Sequence, residues 1–234
     1  MTTHTHPELP AIIGERRNGL GLLLIGIGLA GFMFEARAAD YHVGPGQTLN
    51  SIGAVPWPSL AAGDTVFIHW RAEPYREKIF ISNSGAADRP IRIAGLPGPQ
   101  GQQPVIDGQN ATTSSQFRFP YPGTAARGLV VISRSQAQLD GYKPKYIEID
   151  GLELRNAAAL YTFQDAQGQV VQYRPNASSV FIERGEHITI RNCTVTGSGN
   201  GLFVASGDSE EFQSREIFVH GNQIFGNGNA NSDH

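Results

Sequence analysis

A repeated pattern of short strands is the strongest constraint that this chain of 234 residues places on its fold. The repeated segments read IEIDGLELRNA from Ile147, ITIRNCTVTGS from Ile188 and IFVHGNQIFGN from Ile217. Apolar residues stand at the first, third and eighth places of each segment, with Gly151, Asn192 and Gly221 at the same place between them. Glycine and asparagine tolerate the left-handed backbone of a tight turn. The pattern therefore predicts two short strands around one turn, three times in register.

A further strand precedes each of these units. The preceding runs are GLVVIS from Gly128, SVFIER from Ser179 and GLFVAS from Gly201. Three short strands per unit, with a period of roughly twenty residues, are typical of a parallel β-helix, in which each coil packs on its neighbours. The sequence therefore predicts an all-β solenoid with three short strands per coil.

The N-terminal half contains the same kind of strands with less regular spacing. Four runs, GDTVFIHW, EKIFISNSG, PIRIAG and PVIDG, are separated by Gly, Pro and Asp turns. We expect residues 41–60 to cap the solenoid, and residues 39–234 to form one domain because no linker divides them. The ending GNGNANSDH has no evident cap. It predicts that this domain is C-terminally incomplete, with further coils after His234.

The first 38 residues predict an export signal. Arg16 and Arg17 precede the apolar run 19–34, and the small-residue pattern Ala-Arg-Ala follows at 36–38. An uncleaved N-terminal membrane anchor is the alternative, although a span needs about 20 apolar residues. We therefore expect a secreted or periplasmic protein. Its single cysteine, Cys193, excludes an intramolecular disulfide framework.

Composition narrows the class of partner. Charged residues make up 17% of the chain and the net charge is −3, so no polyanion-binding surface stands out. We therefore expect no nucleic-acid partner.

Two columns of side chains repeat from coil to coil. The outward column is Asp150, Arg191 and His220, and the inward column is Leu152, Cys193 and Asn222. Arg191 and His220 are candidates for holding a ligand carboxylate, whereas an exposed ion-pair ladder is the alternative. For the inward column we expect structural roles, with the asparagine satisfying backbone groups and the cysteine acting as a small apolar residue.

Two insertions interrupt the repeat. Residues 157–177 bring Tyr161, Phe163, Tyr173 and Arg174, a combination that suits sugar rings and carboxylates. Residues 207–213 bring Asp208, Glu210 and Glu211, whose oxygens suit Ca²⁺. Insertions in solenoids often lie on the binding face. The alternatives are a loop packed over the solenoid flank and a solvated acidic loop.

The runs GDTVFI, EKIFISNSGAADRPIRIAGLPG and PVIDG resemble the N-terminal coils of right-handed parallel β-helix proteins. The resemblance is to the pectate-lyase-like superfamily, and within it to the chondroitinase B and alginate lyase group. It runs from about Tyr41 to the end, where NGLFV and ITIRNCTV are similar to the general repeats of the superfamily. It implies a right-handed solenoid and action on an acidic polysaccharide or other glycan.

In such lyases a cation or arginine neutralises the uronate carboxylate, and a Lys or Arg abstracts the adjacent proton in a β-elimination. The resemblance implies that the strands at Val180 and Leu202 line the groove, with the 157–177 loop beside it. By alternation, the outward residues of these strands are Phe181, Glu183, Phe203 and Ala205. Glu183 is thus a substrate-binding candidate. The three lysines, Lys78, Lys143 and Lys145, all precede this face, so a lysine base would have to come from elsewhere.

Two functions follow from these observations. The first is an exported, polysaccharide-lyase-like protein, present as a portion without the full catalytic groove. The alternative is a non-catalytic β-helix module for cell-surface carbohydrate binding or adhesion. A glycoside hydrolase would need opposed carboxylates, which the 207–213 loop does not offer. Either function is expected of a monomer.

Overall fold

Short β-strands supply most of the regular structure in the computed structural model, which describes residues 38–228. The strands are β1 (Asp40–Val43), β2 (Thr65–His69), β3 (Ile79–Ile81), β4 (Ile91–Leu96), β5 (Val105–Asp107), β6 (Ala111–Thr112), β7 (Gly128–Ile132), β8 (Lys145–Asp150), β9 (Glu153–Arg155), β10 (Thr162–Gln164), β11 (Val170–Gln172), β12 (Ser178–Glu183), β13 (Glu186–Arg191), β14 (Thr194–Thr196), β15 (Asn200–Ala205), β16 (Arg215–His220) and β17 (Gln223–Phe225). Short 3-10 helices lie at Ile52–Ala54, Trp57–Ser59, Thr124–Arg127 and Glu210–Phe212.

Three parallel sheets contain most of these strands. Sheet 1 has the order β1-β2-β4-β8-β13-β16, sheet 2 has β15-β12-β7-β3, and sheet 3 has β17-β14-β9-β5. The chain visits sheets 2, 1 and 3 in turn, as β3-β4-β5, β7-β8-β9, β12-β13-β14 and β15-β16-β17. This all-β arrangement is consistent with a β-solenoid and confirms three short strands per coil.

The register of the repeat is confirmed residue by residue. On sheet 1, Ile188 pairs with Ile147 on one side and with Ile217 on the other. On sheet 3, Val195 pairs in the same way with Leu154 and Ile224. The turn residues Gly151, Asn192 and Gly221 have φ of 70°, 52° and 68°, so all three adopt the expected left-handed backbone.

The inward column behaves as the sequence predicts. The Oδ1 atom of Asn222 accepts a hydrogen bond from the Cys193 backbone N–H at 2.8 Å, and its Nδ2 donates to the Ile190 carbonyl at 2.9 Å. Cys193 is a free, buried thiol, and burial raises its pKa to about 11. Asn222 therefore bonds to the neighbouring strands, and Cys193 packs as a small buried residue.

Sheet 2 is buried on both of its faces over β3, β7 and β12. Val130, Val131 and Ile132 are all inaccessible to solvent. The outer face is covered by the segment 113–127, in which Phe117 and Phe119 pack on Phe80 with ring centroids 5.6 and 4.5 Å away. Of the residues expected to face an open groove, Phe181 of β12 is therefore buried, whereas Phe203 and Ala205 of β15 are half-buried.

The insertion at 157–177 folds into a hairpin. Strands β10 and β11 pair antiparallel, and β10 also pairs parallel with β6, which makes a small fourth sheet. At the hairpin tip, Oδ1 of Asp165 accepts hydrogen bonds from the backbone N–H groups of Gln167 and Gln169 at 2.9 and 2.8 Å. The hairpin therefore projects a closed, well-bonded turn.

The expected cap, residues 41–60, begins with a strand that extends sheet 1. Strand β1 pairs parallel with β2 at the edge of sheet 1. The two following 3-10 helices bury Ile52 and Trp57, and the Trp57 indole N–H donates to the Ile52 carbonyl at 2.8 Å. The export-signal prediction falls almost entirely on residues 1–37, outside the described residues. Between residues 38 and 228, no helix has the length and apolar character needed to cross a membrane.

Candidate functional site

A cleft of about 610 Å³ opens between the segment 115–125 and the tip of the β10–β11 hairpin. Residues of the 115–125 segment form one wall, the tip residues 165–167 form the other, and Gln136 also lines it. We call it the aromatic cleft because Phe117, Phe119 and Tyr121 contribute to its surface. The layer that covers sheet 2 thus supplies a concave site of its own.

Packing fixes the aromatic rings of this cleft. Phe117 is buried, and Phe119 is half-buried between it and Phe80. Tyr121 is the most exposed of the three rings, with 40% of its surface accessible to solvent. A rigid wall with one exposed aromatic face is suited to a ligand that has an apolar face of its own.

The charged groups of the cleft are held by local structure. Nη1 of Arg118 donates to the backbone carbonyls of Ser115 and Phe117 at 2.6 and 3.0 Å. Asp165 is engaged with the backbone of its own turn. The exposed side-chain amides of Gln136 and Gln167 also line the cleft, and amides both donate and accept hydrogen bonds.

A cluster of donors lies behind Tyr121. Its hydroxyl donates to Oδ1 of Asp140 at 2.7 Å and accepts from Nη2 of Arg134 at 3.1 Å. The same Asp140 oxygen accepts from Nη1 of Arg184 at 3.1 Å and pairs with Nη2 of Arg134 at 2.9 Å. The hydrogen bond from Tyr121, followed by the two guanidinium groups, lowers the pKa of Asp140. We call these four residues the Asp140 cluster.

Lys78 is enclosed beneath the insertion. Its Nζ donates to the Gly128 carbonyl and to the hydroxyl of Tyr173, and it lies 4.3 Å from the centroid of the Phe163 ring. Burial lowers its pKa well below the usual value for a lysine. A side chain with 1% of its surface exposed has no route to a substrate, so this lysine is structural.

The substrate-binding candidates of the 157–177 insertion lie in different environments. Tyr173 is buried, and its hydroxyl donates to the Gly108 carbonyl at 3.2 Å, while Tyr161 is half-buried against the core. Arg174 is exposed, and its guanidinium group lies beside Gly123, a residue of the cleft. A Cβ added to that glycine would stand 2.8 Å from Nη2 of Arg174. The insertion therefore lines the cleft with its tip and reaches the rim with Arg174, whereas its tyrosines pack.

The outward column forms an ion-pair ladder. Nε of Arg191 lies 2.9 Å from Oδ2 of Asp150, and its Nη2 lies 3.4 Å from Oε2 of Glu148. His220 is exposed and stands next to Arg191 in register on β16. Glu183, at the end of β12, accepts a hydrogen bond from Ser133 Oγ at 3.0 Å. Arg191, His220 and Glu183 are not among the residues lining the aromatic cleft.

The acidic insertion is not assembled as a cation site. Glu210 pairs with Arg215 at 2.9 Å, and Asp208 and Glu211 are exposed. Across residues 38–228 no group of three or more His, Cys, Asp or Glu side chains is arranged to hold a metal ion. The three carboxylates therefore give no geometric support to the Ca²⁺ expectation.

The segment that lines the cleft was missed by sequence reasoning. Its signal was the run QFRFPYP at 116–122, in which aromatic residues alternate at Phe117, Phe119 and Tyr121. Such alternation indicates an extended segment with one aromatic face. The partner of that face, Phe80, could not be read from the run itself.

Comparison of the chain with protein-family models, with curated proteins and with solved structures gives no match. The described residues are all-β with parallel sheets, which is compatible with a β-helix. The resemblance to the pectate-lyase-like superfamily therefore stays a prediction from the residues quoted above.

Proposed function

We propose that residues 38–228 are coils of a right-handed parallel β-helix in an exported, carbohydrate-active protein. Four successive coils that visit three parallel sheets in the same order support the solenoid. The hydrogen bonds of Asn222 across neighbouring coils are of the kind expected inside a β-helix turn. The sequence resemblance supports the right-handed, pectate-lyase-like type.

The aromatic cleft is the observation that carries the proposed activity, which is glycan binding. A sugar ring has an apolar face and a rim of hydroxyl groups. The exposed ring of Tyr121 suits the apolar face, and the amides of Gln136 and Gln167 suit the hydroxyl groups because an amide both donates and accepts. The volume of about 610 Å³ falls within the range of small-molecule sites.

The coils described here bind the glycan without supplying its chemistry. Lys78 is enclosed, and Lys143 and Lys145 both pair with Glu186, at 3.4 and 3.0 Å. The charged groups lining the cleft, those of Arg118 and Asp165, are occupied by local backbone. A proton-abstracting base needs a free, correctly placed group, so binding is the activity that this geometry supports best.

Isothermal titration of the full chain with a panel of neutral and acidic oligosaccharides tests the proposal. Tyr121→Ala removes roughly 60 Å² of apolar contact, worth about 1.4 kcal/mol, so affinity should fall about tenfold. Gln167→Ala should also weaken binding, whereas Leu160→Ala, an exposed change on the same insertion, should not. Equal affinity in all four proteins, or no binding across the panel, would refute the proposed site.

Polysaccharide lyase activity is the second candidate. The observation that favours it is the Tyr121 hydroxyl, which lies beside two arginines at a carboxylate. β-Elimination leaves a double bond conjugated to the uronate carboxylate. Ultraviolet absorbance appearing when the chain is incubated with uronic-acid polysaccharides, and disappearing in Tyr121→Phe, would establish it.

A further inference from the structure

The Asp140 cluster has the donor geometry of an anion site. Three donors from separate parts of the chain, on Tyr121, Arg134 and Arg184, converge on one oxygen atom, Oδ1 of Asp140, within 3.1 Å. Guanidinium groups with a hydroxyl match the oxygens of a carboxylate, and charge-assisted bonds of this type are stronger than neutral ones. The donors are therefore suited to a carboxylate wherever it comes from.

The donors are held in place independently of the Asp140 side chain. Arg134 is only 12% exposed, and its Nη1 donates to the backbone carbonyls of Ser135 and Gln138 at 3.3 and 3.1 Å. Arg184 is 19% exposed, and its guanidinium carbon lies 4.1 Å from the centroid of the Phe212 ring. Both guanidinium groups would keep these contacts if the carboxylate left.

Arg184 also carries backbone strain. Its φ is 59°, in the left-handed region that residues with a Cβ rarely adopt. Arg184 adopts this conformation at the turn between β12 and β13, as Asn192 does at the turn between β13 and β14, so the turn sets the direction in which its side chain leaves the backbone.

The acceptor is the least enclosed member of the cluster. Asp140 lies in the loop between β7 and β8, and its side chain is 55% exposed. A rotation of this one side chain into solvent would vacate the three donors, because carboxylates are well hydrated. The internal carboxylate is therefore replaceable, and the donors are not.

Tyr121 joins the cluster to the aromatic cleft. Its ring lines the cleft while its hydroxyl is one of the three donors. The guanidinium carbon of Arg134 lies 5.1 Å from the centroid of the same ring. A sugar packed on Tyr121 would therefore place a substituent close to the two arginines.

We propose that Tyr121, Arg134 and Arg184 form a subsite for the carboxylate of a uronic-acid residue, and that Asp140 fills this subsite until an acidic glycan displaces it. The inference rests on the proposed glycan-binding function and specifies its ligand as acidic. It also makes the site self-inhibited. If the Asp140 carboxylate fills the subsite in about nine molecules of ten, the apparent affinity for the acidic glycan is reduced about tenfold.

The test compares Asp140→Ala with the wild-type chain by isothermal titration. The probes are tetramers of mannuronic, guluronic, galacturonic and glucuronic acid. Mannotetraose is the neutral control for the mannuronic acid tetramer. We expect Asp140→Ala to bind at least one acidic tetramer about tenfold more tightly than wild type, whereas mannotetraose, which has no carboxylate, should show no such gain. Adding Arg184→Gln to Asp140→Ala should abolish the gain.

Two controls keep the result specific. Asp88→Ala removes the same charge at an exposed position outside the cleft and should leave every affinity unchanged. Asp140→Asn preserves side-chain shape, so it should raise the affinity for the same acidic tetramer if Asp140→Ala proves unstable on thermal unfolding.

Each remaining outcome overturns a stated claim. Neutral glycan binding in the cleft without any acidic gain in Asp140→Ala or Asp140→Asn would overturn the subsite and leave the proposed function standing. An equal gain in Asp88→Ala would assign the effect to net charge and likewise overturn the subsite. If neither protein binds any probe, the subsite and the glycan-binding proposal fail together.

Discussion

Nζ of Lys78 lies 3.3 Å from the hydroxyl of Tyr173, in a site closed to solvent. Strand β11 ends at Gln172, immediately before Tyr173, so this contact ties the 157–177 insertion to the loop that precedes β3. The two residues come from sequence regions that have no pattern in common. Their contact anchors the hairpin whose tip lines the aromatic cleft.

The buried amine predicts a specific pH dependence of stability. Burial lowers the pKa of Lys78 in the folded state, whereas an unfolded lysine keeps its proton up to about pH 10.4. Between those two values the unfolded state binds more protons, so stability should rise with pH by at most about 1.4 kcal/mol per unit. Urea unfolding of wild type and Lys78→Met from pH 7 to 9 measures this dependence, because only the wild type has an amine at this position that gains a proton on unfolding.

The difference between the two proteins is the informative quantity. Cys193 and Tyr173 have raised pKa values in the folded state, and an acid with a raised pKa destabilises the fold as pH rises above its unfolded value. Both proteins share the loss from Cys193, so subtraction removes it. Tyr173 contacts Lys78, but it contributes little between pH 7 and 9 because an unfolded tyrosine titrates only near pH 10. Parallel stability curves for wild type and Lys78→Met would contradict the lowered lysine pKa.

Close packing between coils predicts that Gly95 tolerates no side chain. A Cβ at this position of β4 would stand 2.2 Å from the carbonyl oxygen of Gly151 on the neighbouring coil. We expect Gly95→Ala to lower the free energy of unfolding by about 2–3 kcal/mol, since both backbones must separate. Chemical denaturation measures the loss.

Gly168→Ala is the matched control for that loss. Gly168 has a φ of 79° with open space around it, so an added Cβ there carries only the backbone cost of about 1 kcal/mol. A Gly95→Ala variant as stable as Gly168→Ala would contradict the close approach of the two coils.

The repeat was predictable because its signals are local. The alternation around Ile188 and the left-handed turn at Asn192 both lie within about ten consecutive residues. The strand register that they predict is confirmed. The cover of sheet 2 was not predictable in this way. Phe181 looked outward by alternation, and it does point away from the coil interior, but Arg127 lies over its ring at 4.5 Å.

Long-range contacts also explain why the candidate site in the structure differs from the one expected from the sequence. Tyr173 was predicted to bind a ligand, yet it is buried and its hydroxyl contacts Lys78, a residue distant in sequence with no motif of its own. The Asp140 cluster joins Tyr121, Arg134 and Arg184 from three segments that sequence spacing does not relate. Residue types alone therefore suggested aromatic and arginine side chains, and only tertiary packing determined which of them meet in the aromatic cleft and in the Asp140 cluster.

Cys193 should be unreactive in the folded chain. Its thiol is buried and its pKa is raised to about 11, chiefly by burial, so very little thiolate is present at pH 8. Compared with an unfolded cysteine of pKa about 8.5, we expect labelling by a thiol reagent to be slowed roughly a hundredfold or more. The same chain in denaturing urea should label at once, and rapid labelling of the native chain would contradict the burial.

The ion-pair ladder of sheet 1 predicts that Arg191 has little influence on ligand binding. Glu148 also pairs with Arg92, at 3.2 Å, so Arg191→Gln leaves that carboxylate with a partner. We expect this variant to lose less than about 1 kcal/mol of stability, as is usual for partly exposed ion pairs. Its affinity for any glycan bound by the wild type should be unchanged, because Arg191 does not line the aromatic cleft. Titration of Arg191→Gln beside Tyr121→Ala distinguishes the two faces, since a loss of affinity in the former alone would place the glycan on sheet 1.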